Sequence, residues 1–417
     1  MNTPTTTRSH ERPKTVIHNI FATPGRKTTL DGLRQRIDNH IIRPDVLSRT
    51  DFDRCTEAEQ VLYDDLRLQW FSNGLIVRTP ALRRLTMTGL SLLCVHDPST
   101  VGERGIVLTG PPHIGKTTAL IRLAAEVEQW AGKRAPDFRE TGRAPVAYIE
   151  MEPKAPPKSI ASSILNFYGI PHNFKSATQH QLTDQALDAL RRRHTQMLII
   201  DELQMLKLDG KTGDDAVNSL KTIMNDSGAI CVFAGVDLLE GLSSRPAEQI
   251  MARCEVTQMR PFLSSDDTSR GHWASPVNSL GDAMRLLDAE PDHLAPYADI
   301  LLTMTGGKIG DLRSILALAM ASAITDCDDT GSEVITQDHL VGVGQIGSHE
   351  SRSTATAVGT CPSGSPGDSW VIFQTAMHSE FDRPSVDGNH CPTTTAHQRS
   401  RRGRTRSRDC RTRRPRT

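Results

Sequence analysis

The densest chemical signal in the sequence is the run Gly110-Pro111-Pro112-His113-Ile114-Gly115-Lys116-Thr117, followed by Thr118. Two glycines that bracket a short loop, then a lysine and a hydroxyl residue, are the groups that a polyphosphate needs. Gly110 and Gly115 let the backbone turn tightly and aim its N–H groups inward. Lys116 reaches the outer phosphates, and the Thr117 hydroxyl suits a magnesium ion. Thr118 adds a further hydrogen-bond donor. A helix beginning here contributes partial positive charge from its N-terminus. A glycine turn that matches by accident would lack the right neighbours, and these neighbours are right. The apolar run Gly105–Thr109 leads in as a strand, and Thr117–Trp130 leads out as a helix.

A second signal sits downstream. Met197-Leu198-Ile199-Ile200 reads as a buried strand that releases two carboxylates, Asp201 and Glu202, at its C-terminal end. In an open α/β sheet that end faces the ligand. Asp201 suits magnesium, and Glu202 is placed to polarise an attacking water. The plainer alternative is a strand that ends in an acidic turn. Glu150 and Glu152 close another strand nearby, with a structural or switching role expected. Gln204 is a candidate hydrogen-bond donor beside the phosphates.

The elements that must position these residues follow from periodicity. Helical spacing marks Glu57–Phe71 and a helix opening at Thr79-Pro80, with threonine as cap and proline in the first turn. Strands are expected at Gly105–Thr109, Pro145–Met151, Gln196–Leu203, Ala229–Val236 and Cys254–Met259. Between them come helices at Ser159–Tyr168, at Thr183–His194 with Thr183 as its cap, and at Asp214–Asn225. Strands alternating with helices predict an α/β fold around a mostly parallel five-stranded sheet. Beyond Phe262 only helices are expected, at Asn278–Ala289, His293–Met304 and Asp311–Thr325.

Charge divides the chain in two. The 417 residues carry 49 basic and 49 acidic side chains, which cancel. From Ser351 to Thr417 there are twelve arginines, no lysine and five acidic residues, a net +7, so the first 350 residues carry −7. The tail is rich in Ser, Thr, Gly, Pro and Arg and reads as disordered. An arginine-rich arm has this composition, and so does a shifted reading frame in a GC-rich coding sequence. The first twenty residues hold Arg8, Arg12 and Lys14 without an apolar run, so no secretory signal is expected. No apolar stretch approaches the roughly 18 residues of a membrane span. Eight scattered cysteines without a C-x-x-C pair argue against a disulfide framework or zinc site and for a reduced, cytoplasmic protein.

In this order and spacing, GPPHIGKTT, VAYIEMEP, MLIIDELQML, AICVFAGVD and TGGKIGDLRSIL resemble an AAA+ ATPase, and more narrowly the TniB/TnsC group of transposition helper ATPases. The likeness runs from about Thr28 to Val343 and includes TLDGLRQRID and RTPALRRL. It implies a P-loop NTPase domain followed by a small helical lid. The expected units are a disordered N-terminus (1–27), an N-terminal helical region (28–95), the AAA+ α/β domain (96–265), the lid (266–347) and a disordered arginine-rich tail (348–417). It implies ATP and magnesium as ligands, with Gly110, Pro111, Pro112, His113, Ile114, Gly115, Lys116, Thr117 and Thr118 cradling the phosphates. By resemblance, EQIMARCEV presents Arg253 to a neighbouring subunit as an arginine finger, with Arg245 and Arg260 as lesser candidates. Arg313 opens a sensor-2 helix and reaches the nucleotide from the lid. The bland readings are a surface ion pair for Arg253 and a solvated helix start for Arg313.

One position departs from the family. Such proteins place a small polar residue at the tip of the strand matching Ala229–Val236, whereas here Val236 is followed by Asp237. That weakens sensor 1 and points to slow hydrolysis. The function the resemblance implies is a homo-oligomeric ATPase that assembles on the DNA phosphate backbone and engages a transposase. Arg191-Arg192-Arg193-His194 and Lys207–Lys211 are the basic stretches available in the body. Two alternatives are a helicase-loader-like replication ATPase and a nucleotide-gated adaptor with little hydrolysis.

Overall fold

The computed structural model describes residues 25–39, 41, 43–95, 105–206, 210–241, 245–262 and 267–343. The segment expected to be mobile up to residue 24, the tail from residue 348, Lys207 and the Arg245 side chain lie outside the described residues.

Five short strands form one sheet: β1 (Gly105–Thr109), β2 (Val146–Glu150), β3 (Met197–Asp201), β4 (Ile230–Gly235) and β5 (Cys254–Gln258). Their order across the sheet is β2-β3-β4-β1-β5, and every pairing is parallel. The sheet is therefore wholly rather than mostly parallel. Parallel strands covered on both faces must be apolar throughout, and β1, β3 and β4 are buried at every residue. β5 lies at an edge and keeps three exposed residues.

Ahead of β1 come the helices α1 (Leu30–Asp38), α2 (Glu57–Gln69) and α3 (Pro80–Val95). They continue with α4 (Lys116–Arg134), α5 (Ser159–Phe167), α6 (Gln179–Arg192), α7 (Gly210–Asp226) and α8 (Arg245–Met251). After β5 come α9 (Asp267–Ala283), α10 (Ala298–Thr305) and α11 (Ile309–Thr325). No described helix is long and apolar enough to cross a membrane.

Four expected helices begin a turn or more away: α7 opens at Gly210 and not Asp214, α10 at Ala298 and not His293, and α6 and α9 shift as well. The cap of α6 is Thr178, whose hydroxyl accepts from Gln181 N while Gln181 Oε1 accepts from Thr178 N. That reciprocal box starts the helix a turn earlier. Thr183 is instead buried in the helix, donating to Gln179 O at 2.9 Å. The helix expected at Asn278–Ala289 runs from Asp267 to Ala283, with Pro276 inside it. The chain leaves helical geometry near Arg285, which has φ of 59°. Side chains satisfy the backbone there. Arg67 Nη1 donates to Arg285 O at 3.1 Å, Leu287 N donates to Glu333 Oε1 at 3.0 Å, and Glu333 N donates to Asp288 Oδ2 at 2.8 Å.

The same network joins α2 to the C-terminal helices. Arg67 is fully buried, its Nη2 donates to Glu333 Oε2 at 2.8 Å, and it pairs with Asp64 at 2.6 Å. Arg49 pairs with Asp288. The N-terminal helices are accordingly shared between two apolar cores. Leu33, Ile37, Leu85 and Leu93 join the core around the sheet, whereas Phe71 joins Trp273, Leu280, Leu301, Leu312 and Leu316 in a second core. Phe71 lies in a π-helical turn, Trp70–Gly74, which continues α2.

Removing one member of a buried ion pair leaves its partner charged and unmatched, at a cost of about 3–5 kcal/mol. Glu333→Ala is therefore expected to destabilise the C-terminal helices by about that amount. A denaturant series should show their unfolding midpoint falling. An unchanged midpoint means that Arg67 finds compensation elsewhere.

Candidate functional site

The Gly110–Lys116 loop leaves β1 and opens α4 at the C-terminal edge of the sheet. The local backbone explains the residue types. Gly115 has φ of 95°, a left-handed value favoured by glycine. At Gly110 the constraint is space, because a Cβ there would lie 2.5 Å from Met259 O. Lys116 is buried, and its Nζ donates to Gly110 O and Pro111 O, both at 2.8 Å. Burial pushes its ammonium below the usual lysine range, opposed by the carboxylates of Glu202, Asp201 and Asp237 in that order. Asp237 thus joins the negative charge acting on Lys116.

Asp201 and Thr117 meet. The Thr117 hydroxyl donates to Asp201 Oδ2 at 3.2 Å. Asp201 has no exposed surface. Two donors not anticipated from the sequence share the same oxygen. Tyr148 Oη donates at 2.5 Å, and Lys27 Nζ lies at 3.5 Å. Oδ1 accepts from Glu202 N at 2.9 Å. Burial, with Asp201 beside it, raises the Tyr148 phenol well above its usual value and keeps it a donor. Tyr148 read only as part of an apolar strand, and Lys27 as the last residue of a polar end. The available signals were a hydroxyl beside Glu150 in the first case and the Thr29 cap that follows Lys27 in the second.

Glu202 follows β3 with φ of 55°, so its side chain leaves the strand line at once. Its Oε2 accepts from Gln204 Nε2 at 2.5 Å, while Gln204 Oε1 accepts from Val236 N at 3.0 Å. Gln204 is thereby held at both amide ends and spans from Glu202 to the tip of β4. A Cβ at Gly235 would lie 2.1 Å from Gln204 Oε1, so the bridge requires glycine there. Gln204 thus brings a polar amide from another element to Val236, at the end of β4.

The C-terminal helices reach the loop through backbone. Gly310 N donates to His113 O at 3.0 Å, and a Cβ on Gly310 would lie 2.2 Å from that oxygen. His113 Nδ1 lies 3.2 Å from Asp311 Oδ1. Arg313, one helical turn beyond Gly310, donates to Ser72 O in the π-helical turn. Burial lowers its guanidinium to about 10, and among the described residues no carboxylate pairs with it.

The two finger candidates with described side chains separate. Arg253 is exposed, donates to Asn225 Oδ1 at 2.8 Å, and immediately precedes β5. Its carbonyl accepts from Gly105 N, so it lies at the end of the sheet opposite the loop, roughly 13 Å away by strand rise. Arg260 lies at the loop end, bonded to Gln258 Oε1 at 2.9 and 2.6 Å. The basic stretch after α6 has local partners: Arg191 donates to Asp226 O at 2.6 Å, Arg192 pairs with Asp188 at 2.8 Å, and Arg193 donates to Gly142 O at 3.0 Å.

Residues 100–242, which hold this loop, the strands β1 to β4 and both carboxylates, match the family model described as an AAA domain. The chain carries the P-loop AAA+ fold. Solved structures to which it is similar include the Aeropyrum pernix ORC1 protein in complex with DNA. Identity there is 16%, over 69% of this chain and 70% of that one, with a TM-score of 0.49. For the Aeropyrum pernix ORC2 protein the values are 17%, 65%, 68% and 0.47. For Cdc6p from Pyrobaculum aerophilum they are 17%, 64%, 68% and 0.43. No curated protein matched the chain.

Tyr148→Phe keeps the ring and removes a donor from a buried carboxylate, with an expected cost of about 1–3 kcal/mol. Urea unfolding measures it, and an unchanged midpoint would mean that Asp201 is satisfied without Tyr148.

Proposed function

We propose that this chain is an ATP-binding and hydrolysing AAA+ regulator of DNA transposition, which oligomerises on DNA and engages a transposase. One observation carries the ATPase part: the Gly110–Lys116 loop, the Thr117–Asp201 contact and Glu202 converge at one end of the sheet. The N–H groups of the loop and Lys116 bind the triphosphate, with Thr118 in support. Thr117 and Asp201 fit magnesium, since a hydroxyl and a carboxylate meet beside the helix N-terminus that receives phosphate. Bound there, magnesium supplies charge neutralisation on the phosphates.

Glu202 accepts the proton of the attacking water, and Gln204 positions its carboxylate. Arg313, buried without an acid among the described residues and one turn from the His113 contact, turns to the phosphates from the C-terminal helices. Arg253 acts in trans. It is exposed at the far end of the edge strand, a position that suits a neighbour's nucleotide better than its own.

The regulatory part is supported by the ordered resemblance from Thr28 to Val343 and by the Gly310–His113 bond, which lets bound nucleotide bias the C-terminal helices. DNA contact would be to phosphates and fall with salt. The local partners of Arg191, Arg192 and Arg193 favour a DNA surface completed by oligomerisation over one built on this stretch.

Turnover and DNA association measured with ATP and with ADP, with and without duplex DNA, test the proposal. Lys116→Ala should weaken nucleotide binding at least about tenfold. Glu202→Gln should keep binding, lower turnover by about a hundredfold and trap the DNA-associated form. Gln204→Ala should lower turnover about tenfold with KM unchanged. A protein that associates with neither DNA nor transposase in ATP would end the transposition reading, and an unaffected Glu202→Gln would end the hydrolytic one.

A further inference from the structure

Lys27 is held where it can act on the metal-binding pair. The backbone ahead of α1 is fastened down. Thr29 N donates to Arg26 O at 3.0 Å, Thr29 Oγ1 donates to the same oxygen at 2.9 Å, Arg36 Nε donates to Gly25 O at 2.9 Å, and Gly25 N donates to Gln35 Oε1 at 2.9 Å. The crossing is close, because a Cβ on Gly32 would lie 2.1 Å from Arg26 O. From this clamp the Lys27 ammonium extends between two carboxylates. It lies 3.1 Å from Glu150 Oε2, 3.5 Å from Asp201 Oδ2 and 5.3 Å from the Tyr148 ring centroid.

The two carboxylates are paired neighbours at the ends of β2 and β3, Glu150 opposite Asp201. They differ in one respect. Asp201 is wholly buried, and its Oδ2 also takes the Thr117 hydroxyl, whereas the Glu150 side chain is 39% exposed and ends its strand facing solvent. A divalent cation held by Thr117 and Asp201 would face a second positive charge at the same oxygen, and like charges at that range in a partly buried site repel. Turning the flexible lysine side chain toward Glu150 alone removes the conflict without moving the clamped backbone.

We propose that Lys27 is a built-in competitor for the divalent cation at Asp201, with Glu150 as the place to which its ammonium withdraws. The proposal rests on the nucleotide-site reading above. It makes the magnesium requirement for nucleotide binding an adjustable property, set by a residue outside the phosphate-binding loop. It also ties cation arrival to the stretch of chain just before α1.

The experiment is a magnesium titration of the binding of a fluorescent, non-hydrolysable ATP analogue, read as the magnesium concentration at half-saturation. Lys27→Met should lower that concentration about three- to tenfold, and Lys27→Gln should do the same, while Lys27→Arg should stay near wild type. Glu150→Gln should raise it about threefold, and the Lys27→Met/Glu150→Gln double variant should behave as Lys27→Met does. An unchanged or raised requirement in both Lys27→Met and Lys27→Gln overturns the competitor role. If Glu150→Gln keeps its full effect in the Lys27→Met background, Glu150 acts as a remote charge and not as the resting place. Lys116→Ala is the control that separates the two readings. If wild type shows no magnesium-dependent binding that Lys116→Ala abolishes, both readings fall. If that control holds and the Lys27 variants are silent, only the present one does.

Discussion

A carboxylate cut off from water has to find its compensation within the protein, and the one on Asp201 draws it from distant parts of the chain. Thr117 comes from the helix after the phosphate loop, Tyr148 from the adjacent strand, Lys27 from the segment before the first long helix, and the fourth donor is the backbone of Glu202. Such a group is tolerable only when it is paired, and here several elements share that task. The order of strands, with β3 beside β2, and the position of α4 are both needed to bring them there. The charge therefore acts as a check on the assembly, because a chain that misplaced α4, β2 and β3 relative to one another would strand it.

What was legible in the sequence is what depends on local pattern. Gly110 to Thr117 announced a tight loop between a strand and a helix through residue types at fixed spacing. Met197 to Asp201 announced a buried strand with a carboxylate at its exit. Four of the five strands emerged from apolar runs because a parallel sheet covered on both faces leaves no room for alternation, whereas β5 at the edge mixes polar and apolar residues. What escaped depends on partners remote in sequence. The reach of Gln204 to Val236 is a tertiary bond, invisible in either segment alone. Tyr148 and Lys27 carry no local mark of their contact with Asp201. The stretch after Ala283 kept helical periodicity but is non-helical, since Arg67 and Glu333 supply its backbone with better-placed partners. Thr183 was read as a cap because the competing pair, Thr178 and Gln181, sits among polar residues that blur the start of the helix.

The second core has its own logic. α2 contributes Phe71 through a π-helical turn and Arg67 through a buried ion pair, so the C-terminal helices are completed by residues more than two hundred positions earlier. Arg313 bonds to that same turn, at Ser72. A helical unit of this size gains stability from packing that its own sequence does not hold. In return, the segment between α2 and α3 acquires a fixed shape without long regular structure of its own.

The meeting of Gly310 with His113 is a contact of main chain with main chain, with no side chain in between. Joints made by side chains can loosen by rotamer hops while the backbones stay in place, and this one has no such slack. Its two partners shift together or part altogether. A change in the backbone at His113 is therefore met first at Gly310, at the start of the helix that carries Arg313.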